Sequence, residues 1–172
     1  ENIMKVEVQK GITSIGESAF AGCSSLSLIN VPANVKFIGA SAFSNCTSLR
    51  EFDMPDNVAS VESSLFSGCA SLANVLLSNN TTSIGDNAFN GCTSLRDISI
   101  PEGITVIGSY AFYKCNGLTK ITIPNSVITI ESTAFAECSL LRSVNFGENI
   151  TSIGDWAFWN GRTAYKNLRN LV

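Results

Sequence analysis

A chain of 172 residues fits one domain of ordinary size, and with 45% hydrophobic and only 15% charged residues it is too apolar to stay disordered. No apolar run approaches the roughly 20 residues of a membrane-spanning helix. A net charge of −3 points to neither nucleic acid nor an anionic membrane surface.

The first residues, Glu1-Asn2-Ile3-Met4-Lys5, lack a basic region followed by an apolar core, so no signal peptide is read there. With no initiator methionine, the expectation is a mature form or an excised fragment. Ile3, Val6 and Val8 stand in strand positions, so the chain opens in mid-repeat. A single period then governs the rest. Phenylalanine recurs at Phe20, Phe43, Phe66, Phe89, Phe112, Phe135 and Phe158, every step being 23 residues. Cysteine recurs at Cys23, Cys46, Cys69, Cys92, Cys115 and Cys138, which accounts for all six. Leucine follows at Leu26, Leu49, Leu72, Leu95, Leu118 and Leu141.

The unit LRDISIPEGITVIGSYAFYKC, from Leu95 to Cys115, shows the elements in order. The segment from Leu95 to Ile100 alternates apolar positions at Ile98 and Ile100, the period of a half-buried strand. Pro101 cannot donate to a ladder and ends the pairing. Ile104 to Ile107 is a second short extended stretch, and Gly108 permits a sharp turn. Ser109 to Lys114 is too short for an independent helix but can form one helical or 3-10 turn held by packing. The pattern decays after Trp156-Ala157-Phe158-Trp159, where Gly161 stands in the cysteine slot. Residues 1–160 are therefore read as the repeat domain and 161–172 as a degenerate C-terminal cap or tail.

One unit cannot bury its own apolar residues, but stacked copies can, because each inward side chain meets its equivalent above and below. Differences between copies then become informative. Glycine stands at Gly16, Gly39, Gly85, Gly108 and Gly154, but Glu62 and Glu131 fill the same slot, so glycine is favoured there without a strictly positive φ. Pro32, Pro55, Pro101 and Pro124 alternate with Ser78 and Gly147, as suits an exposed turn.

The units CSSLSLINVPANVKFIGASAF and CTSLRDISIPEGITVIGSYAF resemble the BspA-like, or Treponema-type, leucine-rich repeats of bacterial and protozoan surface proteins. The resemblance covers residues 3 to about 160. It implies an α/β repeat fold, a leucine-rich-repeat right-handed solenoid of about seven coils with a parallel β-sheet. It also implies a cell-surface or secreted protein engaged in attachment to host matrix or to other cells.

Four sets of residues are candidates for chemistry. The cysteine column could form a disulfide ladder or a metal stripe. Side chains on neighbouring parallel coils lie alongside each other, however, which is poor disulfide geometry, and no Cys-x-x-Cys pair or histidine is present. Buried thiols are expected. The outward strand columns drift while their neighbours recur, as an exposed face should. They place Arg50, Glu51, Asp53, Arg96, Asp97, Lys120 and Arg142 on one mixed-charge surface, which is read either as a partner-binding face or as a solvated one. Phe37, Tyr110, Tyr113 and Trp156 lie outside the recurring core positions, as partner anchors or covers of coil edges. Trp156 and Trp159 are assigned to the C-terminal cap. Glu51 and Asp53 could share one strand face as an acid–base pair, but a solenoid face implies no pocket. Sequons begin at Asn45, Asn79, Asn80 and Asn149 and matter only in a eukaryotic secretory setting.

The sequence thus predicts a monomeric, non-enzymatic module that binds a protein partner, with no cofactor, no metal, no nucleic acid and no membrane insertion in this segment. The competing reading is a passive spacer that projects another domain. An enzyme has no residue constellation in its favour.

Overall fold

The computed structural model describes residues 2–160, and these form a solenoid of about six turns with all strand pairs parallel. Each turn carries up to two short strands. On one face lie β1 (Lys5–Glu7), β3 (Leu28–Asn30), β5 (Glu51–Asp53), β7 (Asn74–Leu76), β10 (Lys120–Thr122) and β12 (Ser143–Asn145). On the second lie β2 (Ser14–Ile15), β4 (Phe37–Ile38), β6 (Ser60–Val61), β8 (Ser83–Ile84), β9 (Val106–Ile107), β11 (Thr129–Ile130) and β13 (Ser152–Ile153). Every pairing joins residues 23 apart, such as Lys5 with Leu28 and Thr129 with Ser152, so the sequence period is the register.

The core is what the period predicts. Phe43, Phe66, Phe89, Phe112 and Phe135 are fully buried. Their rings stack face to face in one column with Phe20 and Phe158 at its ends, at centroid separations from 4.9 to 5.8 Å. Leucine and aliphatic columns line the same interior.

The expected helical turn before each cysteine takes another form: no helix occurs among the described residues. The backbone makes successive i to i−3 bonds, such as Ala88 N–H to Gly85 O, Asn90 N–H to Asn87 O and Cys92 N–H to Phe89 O. Two residues per coil interrupt them in the left-handed region. One column is Ser18, Ser41, Ser64, Asn87, Tyr110, Thr133 and Trp156, and the other is Gly22, Asn45, Gly68, Gly91, Lys114 and Glu137. A helix cannot pass through such residues. Their N–H groups, and that of the phenylalanine between them, instead point to the next coil: Asn87 to Ser109 O, Phe89 to Ala111 O and Gly91 to Tyr113 O. This threefold link recurs at every coil interface from Ser18 to Trp159.

The glycine ahead of this turn is explained by close approach. A Cβ on Gly39 would lie 2.5 Å from the Glu17 nitrogen, and one on Gly85 would lie 2.8 Å from the Ser63 nitrogen. A Cβ on Gly16 would meet nothing within 4 Å. Where Glu62 fills the slot, the bond to the preceding coil made by Gly39, Gly85, Gly108, Glu131 and Gly154 has no counterpart, and β4 does not pair with β6. Phe52 adds to this separation. It stands in a strand column otherwise filled by valine and isoleucine, and its ring wedges against Phe43 at 5.1 Å and Phe66 at 4.9 Å, at the widest step of the phenylalanine stack.

The first strand expected from the clearest unit, Leu95 to Ile100, does not form. Ile98 and Ile100 are buried as the alternation requires, but Asp97 to Ser99 joins neither β7 nor β10. The strand face therefore consists of three hydrogen-bonded pairs, β1–β3, β5–β7 and β10–β12, with one unpaired coil inside it. Side-chain periodicity sets the inward residues and is blind to whether the backbone ladder closes.

Candidate functional site

All seven residues of the predicted binding face, Arg50, Glu51, Asp53, Arg96, Asp97, Lys120 and Arg142, are exposed. The pleat puts Glu51, Asp53, Asp97 and Lys120 there, since Phe52, Ile98 and Ile121 turn inward and their immediate neighbours turn out. Arg50 and Arg142 lie just ahead of β5 and β12, and Arg96 at the same place in the unpaired coil. The only ion pair among the described residues joins Lys120 Nζ to Asp97 Oδ2 at 3.8 Å, with both side chains 69% exposed. Such a pair contributes little stability.

The breaks in the ladder give this face relief. Between the unpaired coil and β10 a cavity of about 320 Å³ is lined by Asp97, Ser99, Glu102, Lys120 and Thr122. On the other side of that coil, Asp53, Asn74, Leu76 and Asp97 border one of about 250 Å³. Leu28, Asn30, Glu51 and Asp53 line a third, of about 160 Å³, between β3 and β5. Arg50 and Glu51 border a wider depression with Met4, Ser27 and Ser48. The structure thus gathers Asp53, Asp97 and Lys120 around the unpaired coil. Arg96 and Arg142 line none of these depressions, and they stay apart from Arg50 in alternate coils. Glu51 and Asp53 flank Phe52 on the exposed side, and both line the depression between β3 and β5.

The cysteine column is buried from Cys46 to Cys138, with Cys23 half-buried, and none is disulfide-bonded among the described residues. Each buried thiol donates to the phenylalanine carbonyl of the coil before it. Cys46 reaches Phe20 O at 3.1 Å, Cys69 reaches Phe43 O at 3.0 Å and Cys92 reaches Phe66 O at 3.2 Å. Cys115 and Cys138 do the same to Phe89 and Phe112. Burial, helped by the preceding thiol, pushes Cys46 up to about 11 and Cys69 to about 12. Burial also raises Cys92 and Cys115, and takes Cys138 to about 12. These are protonated, unreactive groups. The slot recurs because it needs a small side chain carrying a donor. That part of its chemistry was not read from the spacing alone.

Of the aromatics outside the core column, Phe37, Tyr110, Trp156 and Trp159 are exposed. Asn80 and Asn149, two of the sequon asparagines, donate their amides to Asp56 O and Asn125 O of the preceding coil. Among the described residues no cluster of three or more histidine, cysteine or acidic side chains could hold a metal ion.

The sequence profile described as "BspA type Leucine rich repeat region" matches in six copies, over residues 1–118 and 63–170. The chain belongs to the BspA-type leucine-rich repeat family. Among solved structures, this BspA-type solenoid is similar to the leucine-rich repeat protein TpLRR of T. pallidum. The identity is 29% and the TM-score 0.83, over 90% of this chain and 74% of that one. A leucine-rich repeat protein from Eubacterium ventriosum shares the fold at 23% identity and a TM-score of 0.82, over 94% of this chain and 44% of that one. A leucine rich cell surface protein from Faecalibacterium prausnitzii matches at 24% identity and a TM-score of 0.51, over 83% of this chain and 59% of that one. No curated protein sequence matches this BspA-type chain significantly.

Proposed function

We propose that this chain is a protein-binding module of a cell-surface or secreted protein, acting in adhesion through the strand face and not in catalysis. The observation that carries this reading is the contrast within each strand. Val75, Ile98, Ile121 and Val144 are uniform and buried, while their outward neighbours vary freely, carry charge and border three depressions. A solenoid offers such a face as an extended recognition surface. Arg50, Arg96 and Arg142 supply fork-shaped donors along one side of it. Asp53, Asp97 and Glu102 make the unpaired coil a seat for basic side chains of a partner. The Faecalibacterium protein of the same fold, described as a cell surface protein, supports the location.

The test is capture of individually purified host matrix proteins by the immobilised chain, with an Arg50→Ala/Arg96→Ala/Arg142→Ala variant alongside. A partner that binds the parent and is lost from the variant is expected. Equal capture by both removes the arginines from the account, and no capture of any matrix protein removes the adhesion reading.

A further inference from the structure

Tyr110 and Trp156 occupy equivalent positions two coils apart with Thr133 between them, and Tyr113 and Trp159 flank Ala136 in the same way. Tyr110, Thr133 and Trp156 all have left-handed backbone, with φ of 57°, 63° and 57°. In the other coils this slot holds Ser18, Ser41, Ser64 and Asn87. Bulky side chains are disfavoured at such a backbone. Burial does not compensate, since Tyr110 is 42%, Trp156 72% and Trp159 51% exposed. Tyr110 and Trp156 thus stand where backbone and solvent both oppose them.

Their arrangement is nonetheless firm. The Tyr110 and Tyr113 rings meet edge to face at 5.6 Å, and Lys114 Nζ lies 4.9 Å above the Tyr113 ring. Trp156 and Trp159 pair at 6.3 Å. Between the two pairs, Thr133 and Ala136 are buried and form a low floor. The coils beneath are tied by Tyr110 N–H to Ser132 O, Lys114 N–H to Ala136 O, Thr133 N–H to Asp155 O and Glu137 N–H to Trp159 O. Two aromatic pairs therefore project from one edge, their backbone positions two coil rises, roughly 10 Å, apart at the spacing of stacked parallel strands.

We infer that this edge is a carbohydrate site for an extended β-1,4-linked glycan. A pyranose ring has an apolar C–H face that stacks on an aromatic ring and a rim of hydroxyls that need hydrogen-bond partners. Tyrosine and tryptophan offer both an apolar body and a polar handle. In an extended β-1,4 chain each sugar is turned over relative to the last, so one face recurs at every second residue, close to two coil rises. The sugar between two stacked ones lies over Thr133 and Ala136, where small side chains leave room. A protein anchor is a compact cluster ringed by excluded water. Two like platforms in step with the coil period suit a ligand with a period of its own. This site lies on the turn edge and is independent of the strand face.

The experiment titrates tryptophan fluorescence with hexasaccharides of β-1,4-linked glucose, N-acetylglucosamine and xylose, with the α-1,4-linked glucose hexamer as control. Tyr110→Ser and Trp156→Ser place in each slot the residue that other coils use there, and circular dichroism verifies that both variants fold. Saturable binding of at least one β-1,4 hexamer is expected, weakened on the order of tenfold or more by either substitution, as for loss of an aromatic anchor. The triple arginine variant should bind it as the parent does. Absence of binding to every β-1,4 hexamer, equal binding of the α-1,4 hexamer, or undiminished binding by both serine variants overturns the inference.

Discussion

Replacing Cys92 by alanine isolates what the cysteine column contributes. The thiol is buried and donates to Phe66 O at 3.2 Å, a carbonyl that also accepts from Cys69 N–H. Removing the sulfur forfeits roughly one buried methylene's worth of transfer energy, about 0.8 kcal/mol. The lost hydrogen bond adds about 0.5–1 kcal/mol for a weak donor, and the small void adds a few tenths more. The total is about 2 kcal/mol, which lowers the melting temperature of a chain this size by about 4–8 °C. Cys23 provides the internal control. It is half-buried and lies in the first coil of the cysteine column, and no thiol bond to an earlier coil accompanies it. Cys23→Ala should therefore cost less than about 1 kcal/mol. Urea unfolding followed by far-ultraviolet circular dichroism, with unchanged slope, measures both. If Cys92→Ala costs no more than Cys23→Ala, the thiol–carbonyl link contributes nothing and the column is mere filler.

Three further outcomes follow from the same geometry. Phe89 stacks on Phe66 at 5.5 Å and Phe112 at 5.1 Å, so Phe89→Ala should cost about 3–5 kcal/mol in chemical denaturation, and clearly more than Phe20→Ala at the half-covered end. Thr81 Oγ1 is buried without a hydrogen-bond partner among the described residues, in a slot that holds Val35, Val58 and Val127 elsewhere; Thr81→Val should raise stability by about 1 kcal/mol, and a destabilised variant would show that the hydroxyl is satisfied in solution. Alkali should weaken the fold. Unfolded thiols ionise near 9.0, whereas Cys46 keeps its proton to about 11 and Cys69 to about 12. Above pH 9 the unfolded chain has thus released protons that the fold retains. Stability is full below pH 9 and falls through the windows from 9 to about 11 and from 9 to about 12, by up to about 1.4 kcal/mol per pH unit for each thiol. Cys69→Ala should flatten that decline, and an unchanged slope would count against the buried thiol.

The period itself was legible because phenylalanine, leucine and cysteine face a shared interior and cannot drift. The turn was less so. Gly22, Gly68, Gly91 and Asn45 fall at equivalent positions, a glycine and asparagine signal for left-handed backbone that Lys114 and Glu137 obscure. The other left-handed column carries that signal only at Asn87, against Tyr110, Thr133 and Trp156, which are among the residues least suited to it. There, intercoil hydrogen bonds override local preference. The opening of the ladder around Asp97 to Ser99 was illegible for another reason. Ile98 and Ile100 satisfy the side-chain pattern whether or not the backbone pairs. The exposed character of Arg50, Glu51, Asp53, Arg96, Asp97, Lys120 and Arg142 was readable from their drift; the depressions between them arise from the backbone and were not.

Hydrogen–deuterium exchange of the chain alone and with a captured protein partner tests the binding face most directly. Slowed exchange is predicted along β5, β7 and β10 and through the unpaired coil from Asp97 to Ser99, whose amides have no neighbouring strand to protect them. Exchange on the turn edge around Phe66 and Phe89 should stay unchanged. Protection confined to that edge, with the strand face exchanging as freely as in the unbound chain, would contradict the account.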